Sequence, residues 1–572
     1  MNKSSSKKNN FIFQAGLLAA AGIIVKIIGI LYRAPLVMII GDEGNGYYNT
    51  AYNIYTIILM ISTYSIPAAI SKVMAAKLGL NEYRNAFRLF IGALVYVLVM
   101  GLAGCSVCFF FADSLVGPSS AQVLKYFAPT IFFSGFLGTF RGFFQAQHTM
   151  VYTSVSQIIE QIFNAAVSIG AALIFTRSLR GLDETVIAIG GAKGSALGTG
   201  AGVVSALVFM LVIYLIKRKG IKDKVKNDPT ENILKPTEVA GMIFGMVTPV
   251  LLSTCIYNLS SVTNLKLYQE LSMAFKGYTE KMATYGYGLF SGKSTQIVNI
   301  PIALAAAMSS AIIPAVSRTH ERGEYEEGRQ KIAMATKATM LIAIPCAFGL
   351  FALARSITVI LYPQPDTVEM VASMIRVLSV TVIFYCLSTL SNGILQGTGH
   401  VHIPVINAAV ALVAQSVVAT LLILFTNLDL YAICISTIVY SGLMCVLNGH
   451  ALKKKCGYKQ EYIRTFILPI TASLWMGILA FLTNKVITWV FRLFDPSVGT
   501  GLWGMRNAVS LIICVIVSVL FYSVLILHYG VATKDELLAM PKGQTIVKIC
   551  VKLHLLKDED IITRRRKGRK NN

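Results

Sequence analysis

Lys26 and Arg33 stand seven residues apart inside an otherwise apolar run from Phe11 to Ile40. On a helix that spacing puts both side chains on one face, roughly 10 Å apart, with Gly22 and Gly29 on the same stripe. The face is narrow, cationic and approachable. A cation at bilayer depth costs about 2.5 to 3.5 kcal/mol on insertion scales, so it normally faces a bundle interior or a wet cavity and meets an anion there. Snorkelling to the membrane surface suits Arg33 near the outer end of the run, but not Lys26. The chemistry such a face can do is to bind phosphate, pyrophosphate or carboxylate, with Arg offering bidentate contacts.

The remaining intramembrane charge is lopsided in the same direction. Lys293 and Arg376 are further candidates for an anion-binding interior, with Asn53, Gln296 and Asn299 as polar lining and Asn258, Asn264, Asn407 and Gln415 as additions. Glu160 is the acid expected well within the hydrocarbon, and so the candidate for coupling to Na+ or H+. Exporters of cationic drugs need buried carboxylates to pair with substrate or coupling ion, and this chain has mostly the opposite. Catalytic patterns fail. Gly292-Lys293-Ser294-Thr295 resembles the end of a phosphate-binding loop, but the position five before Gly292 is Tyr287 rather than Gly, and an apolar span follows where a soluble helix is required. His400 and His402 lack a third metal ligand nearby, and Cys105-x-x-Cys108 sits in an apolar helix with no second pair. The expectation is therefore a protein that is not an enzyme and has no cofactor or metal, with Na+ or H+ entering only as a coupling ion.

The elements that must position these residues are membrane spans. With 572 residues, 55% hydrophobic, 14% charged and mean hydropathy +0.65, the chain is excluded from the soluble globular class. Apolar stretches long enough to span fall near 13–40, 50–70, 89–112, 123–145, 153–176, 187–216, 239–262, 287–316, 333–354, 369–395, 403–426, 429–451, 464–491 and 503–529, fourteen in all. An even count puts both termini on one side. Roughly 36 of the 51 Lys and Arg then lie with the termini, which makes that side the cytoplasm of a multi-pass cell-membrane protein. The net charge of +24 is a topology signal that calls for no nucleic-acid partner. The basic tail, ending Arg564-Arg565-Arg566-Lys567, is expected on anionic lipid headgroups.

The chain also repeats itself. Ile66-Pro67-Ala68-Ala69-Ile70-Ser71-Lys72 is echoed by Ile313-Pro314-Ala315-Val316-Ser317-Arg318, Asn81-Glu82-Tyr83 by Gly323-Glu324-Tyr325, and Gly142-Phe143-Phe144-Gln145-Ala146 by Gly393-Ile394-Leu395-Gln396-Gly397. Three pairs in one order at nearly one offset argue for an internal repeat. A displacement of six spans keeps both halves in the same orientation, which predicts two lobes with a site near the midplane between them. The expected organisation is an N-terminal lobe at 1–216, a basic cytoplasmic linker at 217–238, a C-terminal lobe at 239–452, two further spans at 453–529 and a basic tail at 530–572.

Several of these pieces together resemble a known family. Lys26-x-x-Gly29-x-x-Tyr32-Arg33-x-Pro35-Leu36, Gly41-x-x-Gly44-x-Gly46-x-Tyr48, Ile66-Pro67-x-x-Ile70-Ser71-Lys72 and Gln157-x-x-Glu160-Gln161 are similar to motifs of the oligosaccharidyl-lipid flippases in the MOP exporter superfamily. The nearest group holds stage V sporulation protein B and the MurJ-type lipid II flippases. The resemblance covers essentially the whole chain in 6 + 6 + 2 order. It implies an all-α, MATE/MurJ-like fold with a central cationic cavity for a lipid-linked diphosphate sugar and a groove beside spans 13 and 14 for the lipid tail. By match, Lys26 and Arg33 take the place of the group's first-span basic residues. Two departures stand out: Tyr52 to Ser65 carries no basic residue, and Gln296 holds the place of a span-8 arginine, with Lys293 one turn earlier.

The implied function is a flippase that carries an undecaprenyl-diphosphate sugar precursor, lipid II foremost, between leaflets by alternating access for peptidoglycan or spore-cortex synthesis. Lys26, Arg33 and Lys293 would bind the diphosphate, with Arg376 adding charge. The rivals are a cation-coupled multidrug antiporter, an exopolysaccharide or O-unit flippase, and a non-transporting scaffold for cell-wall synthesis proteins.

Overall fold

A computed structural model describes residues 3–64, 66–147, 149–493 and 505–531. Among them the chain is helical, with no strand. In order the helices are α1 Lys3–Leu59, α2 Ile66–Gly79, α3 Tyr83–Phe110, α4 Ala112–Val116, α5 Pro118–Ala146, α6 Val151–Ser178, α7 Glu184–Lys226, α8 Pro236–Lys276, α9 Glu280–Gly288, α10 Thr295–Glu321, α11 Tyr325–Leu361, α12 Pro365–Gly397, α13 His402–Phe425, α14 Leu430–Cys456, α15 Leu468–Arg492 and α16 Met505–His528. Short π-helical segments at Met60–Tyr64, Leu289–Ser294 and Ile463–Ile467 interrupt the α-helical ladder.

Eleven of the helices searched are long and apolar enough to cross a membrane, against the fourteen spans expected. Two expected spans, on α8 and α10, are not among the eleven. The remaining difference lies in α1, where one continuous run covers the expected spans 1 and 2. Its course is not straight: Gly41 has φ 68° and ψ 178°. The Arg33 guanidinium lies 6.0 Å from the centroid of the Tyr52 ring, whereas nineteen residues of straight helix would separate them by roughly 28 Å. The chain therefore folds back at Gly41 and lays the stretch around Tyr52 against the one around Arg33. A methyl at Gly41 would meet nothing within 4 Å, so the need for glycine is conformational. That backbone region is essentially closed to other residues and costs about 1–3 kcal/mol when forced. Gly41→Ala is expected to lower the thermal unfolding midpoint of the purified protein, while Gly22→Ala, also unobstructed but helical, leaves it unchanged. Equal midpoints for the two variants would remove the reversal from Gly41.

The described residues divide into two compact units. Unit 1 holds 1–300 with 395–448, and unit 2 holds 301–394 with 449–572. Within unit 1, α2, α3, α5, α7 and α8 share a core of Ile66, Ile70, Leu89, Phe90, Phe140, Phe143, Met210 and Ile243, all nearly inaccessible. The repeat motifs explain part of this core. A methyl on Gly142 would come within 2.8 Å of the Pro67 carbonyl oxygen and 3.1 Å of Ile70 Cβ, so the two first-half motifs are the two sides of one helix contact. They report packing, as a proline and small residues at a close crossing do.

The linker between α7 and α8 is tied to the start of α3. The Arg84 amide donates to Asp228 at 2.6 Å, the Arg84 side chain to the Val225 carbonyl at 3.2 Å, and Asn85 both donates to the Asn232 carbonyl and accepts from the Leu234 amide at 2.9 Å. Partial burial alone would raise the Asp228 pKa, but the amide and hydroxyl donors from Arg84 and Thr230 outweigh it and hold the carboxyl below its usual range. The expected basic tail lies outside the described residues.

Within unit 2, α11, α15 and α16 pack through Leu353, Ala480 and Cys514 at one level and Ala472 and Ile526 at another. Tyr522 on α16 donates to the Leu341 carbonyl on α11 at 3.1 Å.

Candidate functional site

The first-half polar face of unit 1 is built from the folded-back α1, α5 and α6. The Lys26 side chain is exposed and Arg33 is half-buried over Tyr52. Among the described residues no carboxylate pairs with Lys26. On the same side of α1, a methyl at Gly29 would sit 3.2 Å from the Gln161 amide nitrogen, and Asn164 donates to the Tyr32 hydroxyl at 3.4 Å. Gly29 thus lets a polar side of α6, with Gln161 and Asn164, lie close to α1. From behind, α7 presses α6 forward: a methyl on Gly202 would come within 2.5 Å of the Glu160 carbonyl oxygen. Tyr48, Tyr52 and Tyr55 stack along the returning half of α1 against Phe127, with Tyr55 and Phe127 at 4.7 Å, forming an aromatic wall worth about 0.5–1.5 kcal/mol per pair beyond burial.

Arg141 completes this face and is the residue the sequence reading passed over. Its guanidinium pairs with Glu160 at 2.7 Å and donates to the Ser156 hydroxyl at 2.9 Å. Glu160, the coupling candidate, is therefore held in an ion pair across α5 and α6. Among the described residues this face brings together three basic side chains, Lys26, Arg33 and Arg141, and one acid, Glu160. Arg141 was findable: it is the lone charge between Lys125 and Arg177 other than Glu160, but it adjoins the Gly142 repeat motif and was absorbed into it.

Lys293 does something other than the open binding role expected of it. It is fully buried in the π-helical segment Leu289–Ser294 and pairs with Asp42 at 2.5 Å. Asp42 was also missed, since it follows Gly41 and reads as a loop acid. Around this pair the returning half of α1 and α9 meet backbone to backbone. A methyl on Gly46 would be 2.7 Å from the Thr284 carbonyl oxygen, and one on Gly288 2.5 Å from Gly46 Cα. Asn49 donates to the Asn45 carbonyl at 2.7 Å, Asn45 to the Gly288 carbonyl at 3.5 Å, and Glu43 pairs with Lys281 at 3.0 Å. Asn53, expected as lining, donates to the Tyr287 and Ser291 hydroxyls at 3.3 Å each. The seam is closed by ion pairs at one end and neutral hydrogen bonds at the other.

Of the other expected lining residues, Gln296 is half-buried and donates to the Ser291 carbonyl at 3.5 Å, and Asn299 is exposed. Asn264 and Gln415 are not lining. They belong to a buried network in which Ser260 donates to Gln415 at 2.7 Å, Gln415 to Asn264 at 2.6 Å and Asn264 to Thr437 at 3.1 Å. Its amides and hydroxyls satisfy one another, so it stabilises the packing of α8, α13 and α14. Asn258 lies outside the residues whose side chains are described. Arg376 belongs to unit 2, where Glu369 reaches it at 3.6 Å.

Residues 81–500 match the family model described as Lipid II flippase MurJ. Among curated relatives, the chain is 25% identical over 492 residues to Lipid II flippase MurJ of Bacillus subtilis (strain 168), across 82% of this chain and 87% of that protein. It is 20% identical to Stage V sporulation protein B of the same organism, across 95% of this chain and all of that protein. Among solved structures, the fold is similar to a lipid II flippase MurJ in an inward closed conformation, with a TM-score of 0.62 at 12% identity over 89% of this chain and 98% of that one. It is also similar to an inward-facing MATE multidrug transporter of the MOP superfamily, with a TM-score of 0.63 at 14% identity over 77% of this chain and 98% of that one.

Proposed function

This chain belongs to the MurJ family of lipid II flippases, a family of transporters rather than enzymes, and we propose that it carries an undecaprenyl-diphosphate-linked sugar, lipid II foremost, from the inner to the outer leaflet of the cell membrane. The observation that carries the reading is the face of Lys26, Arg33 and Arg141 with a single acid, Glu160, already engaged by Arg141. A diphosphate brings negative charge to these basic side chains, and a guanidinium binds it through two parallel hydrogen bonds. A cation exporter needs the reverse balance.

In this reading both termini are cytoplasmic, and the Asp42–Lys293 seam is one closed state of an alternating-access cycle. Release of the seam at one side accompanies closure at the other. The membrane potential or a Na+ or H+ gradient drives the cycle, one elementary charge moved through 100 mV being worth about 2.3 kcal/mol. The peptidoglycan or spore-cortex role follows from the cargo.

The test is reconstitution. Vesicles holding the purified chain and labelled lipid II in the inner leaflet should expose the label to an impermeant external probe faster than protein-free vesicles. Prenyl diphosphates with other glycan heads, run in parallel, report how far the head is read. Equal rates with and without protein for every diphosphate lipid would overturn the proposal.

A further inference from the structure

Lys193 on α7 is the only charged residue between Glu184 and Lys217. It lies nine residues into the helix, roughly 14 Å from its start. At helical spacing it shares one stripe with Val186, Leu197, Val204 and Val208. All four are exposed, on a helix long and apolar enough to cross a membrane, so the stripe faces acyl chains. One residue beyond Lys193, α6 and α7 touch backbone to backbone: a methyl on Gly194 would come within 2.6 Å of the Ala171 carbonyl oxygen. That contact fixes the rotation of α7 and holds Lys193 on the outward stripe. A cation so placed on an apolar helix calls for an anion or an aqueous path.

The surrounding helices supply no anion. The Lys193 ammonium donates to Gln122 Oε1 on α5 at 2.7 Å, and among the described residues no carboxylate pairs with it. Around it, α5, α6 and α7 of unit 1 form a cavity of about 330 Å³. Lys193, Gln122 and Tyr126 give it polar lining, Phe175, Leu179 and Ile189 give it apolar lining, and no acidic residue lines it. The polar groups left over can all donate. An ammonium carries three protons, of which Gln122 takes one. The Gln122 amide nitrogen and the Tyr126 hydroxyl have no hydrogen-bond partner among the described residues. A positive charge with further donors beside it, in an acid-free cleft open to acyl chains, is complementary to an anionic headgroup, and the enclosure has the size of a small-molecule site.

From this combination we infer that the cavity binds the phosphate group of an anionic lipid, with the Lys193 ammonium, the Gln122 amide and the Tyr126 hydroxyl on the phosphate oxygens and the first carbons of the chain along Phe175 and Leu179. A zwitterionic lipid carries its own ammonium beside the phosphate and so gains less from Lys193. The cavity uses none of Lys26, Arg33, Arg141 or Glu160, and its occupancy does not depend on what the chain transports. In the orientation proposed above, the α6–α7 connection is extracytoplasmic, and the lipid comes from the outer leaflet. Inorganic phosphate offers the same oxygens without the chain.

Photolabelling of the full chain, delipidated in detergent, tests the site and separates the two sources. Phosphatidylglycerol with a photoreactive group beside its phosphate should label 122–126 or 186–197, and excess unlabelled phosphatidylglycerol should compete at least tenfold more effectively than phosphatidylcholine. Lys193→Gln should lower labelling of these segments at least fivefold, whereas Lys193→Arg keeps it because the charge is retained. Labelling elsewhere on the chain should be the same in Lys193→Gln, which reports that the variant is folded. Lys331→Gln, in an ion pair with Glu327 in unit 2, should leave labelling of the two segments unchanged. Competition by phosphatidylglycerol but not by inorganic phosphate names a lipid as the occupant, and competition by both names free phosphate as a second one. No label in either segment, equal competition by the two lipids, or equal labelling of Lys193→Gln and the unaltered protein would each overturn the assignment.

Discussion

Arg33→Ala is expected to cut lipid II translocation in reconstituted vesicles by about ten- to a hundredfold, because a hydrogen bond to a charged group contributes about 1.5–3 kcal/mol and each 1.4 kcal/mol is a factor of ten. Lys26→Ala should lose a similar amount, and the double variant should transport no faster than protein-free vesicles. Arg33→Lys should recover only part of the rate, since an ammonium keeps the charge but not the planar fork. Folding should survive these changes. Lys26 is exposed, and Arg33 is half-buried with its guanidinium 6.0 Å from the centroid of the Tyr52 ring, a contact of about 0.5–1 kcal/mol when partly exposed. Thermal unfolding measured beside transport separates the two effects. Normal transport in both single variants would remove the cationic face from the mechanism.

Lys293→Met is the second large effect, and it is one of stability. Lys293 is fully buried and its partner Asp42 is 8% exposed, so deleting the ammonium leaves a carboxylate with its countercharge gone. Breaking a buried pair from one side costs about 3–5 kcal/mol, whereas replacing both partners by neutral residues is often tolerated. Lys293→Met and Asp42→Asn should each depress the unfolding midpoint and the yield of folded protein. The combined Asp42→Asn, Lys293→Met variant should recover much of the loss. A coupling between the two sites of less than about 0.5 kcal/mol, the level of independent positions, would show that the pair does not hold the seam. The double variant has a further use: with the ion pair absent and the fold retained, its transport rate reports how much the closed seam limits the cycle.

The residues that sequence reasoning found and those it missed differ in a physical way. Lys26 and Arg33 were legible because a charge inside a long apolar run has few structural uses, and their spacing fixes a common face without reference to any other helix. Their shared position beside Gly29, with α6 brought close, follows from the same stripe. Asp42 and Arg141 were not legible because each adjoins a stronger local signal, the Gly41 reversal in one case and the Gly142 packing motif in the other. Lys293 reads in the sequence as an intramembrane cation. Its role changed once a carboxylate distant by 251 positions in the chain was placed beside it. Asn264 and Gln415 show the same limit for neutral groups. A buried amide and a cavity-lining amide look alike until the hydrogen-bond partners are known, here residues more than 150 positions apart.

By itself the amino-acid sequence determined the all-helical membrane class and the seven-residue spacing of Lys26 and Arg33, since hydropathy, period and local spacing are properties of short stretches. Only the tertiary structure decided which charges remain open to a ligand and which neutralise one another. Ion pairs and hydrogen bonds act over about 3 Å, and whether two side chains come that close depends on how distant helices cross.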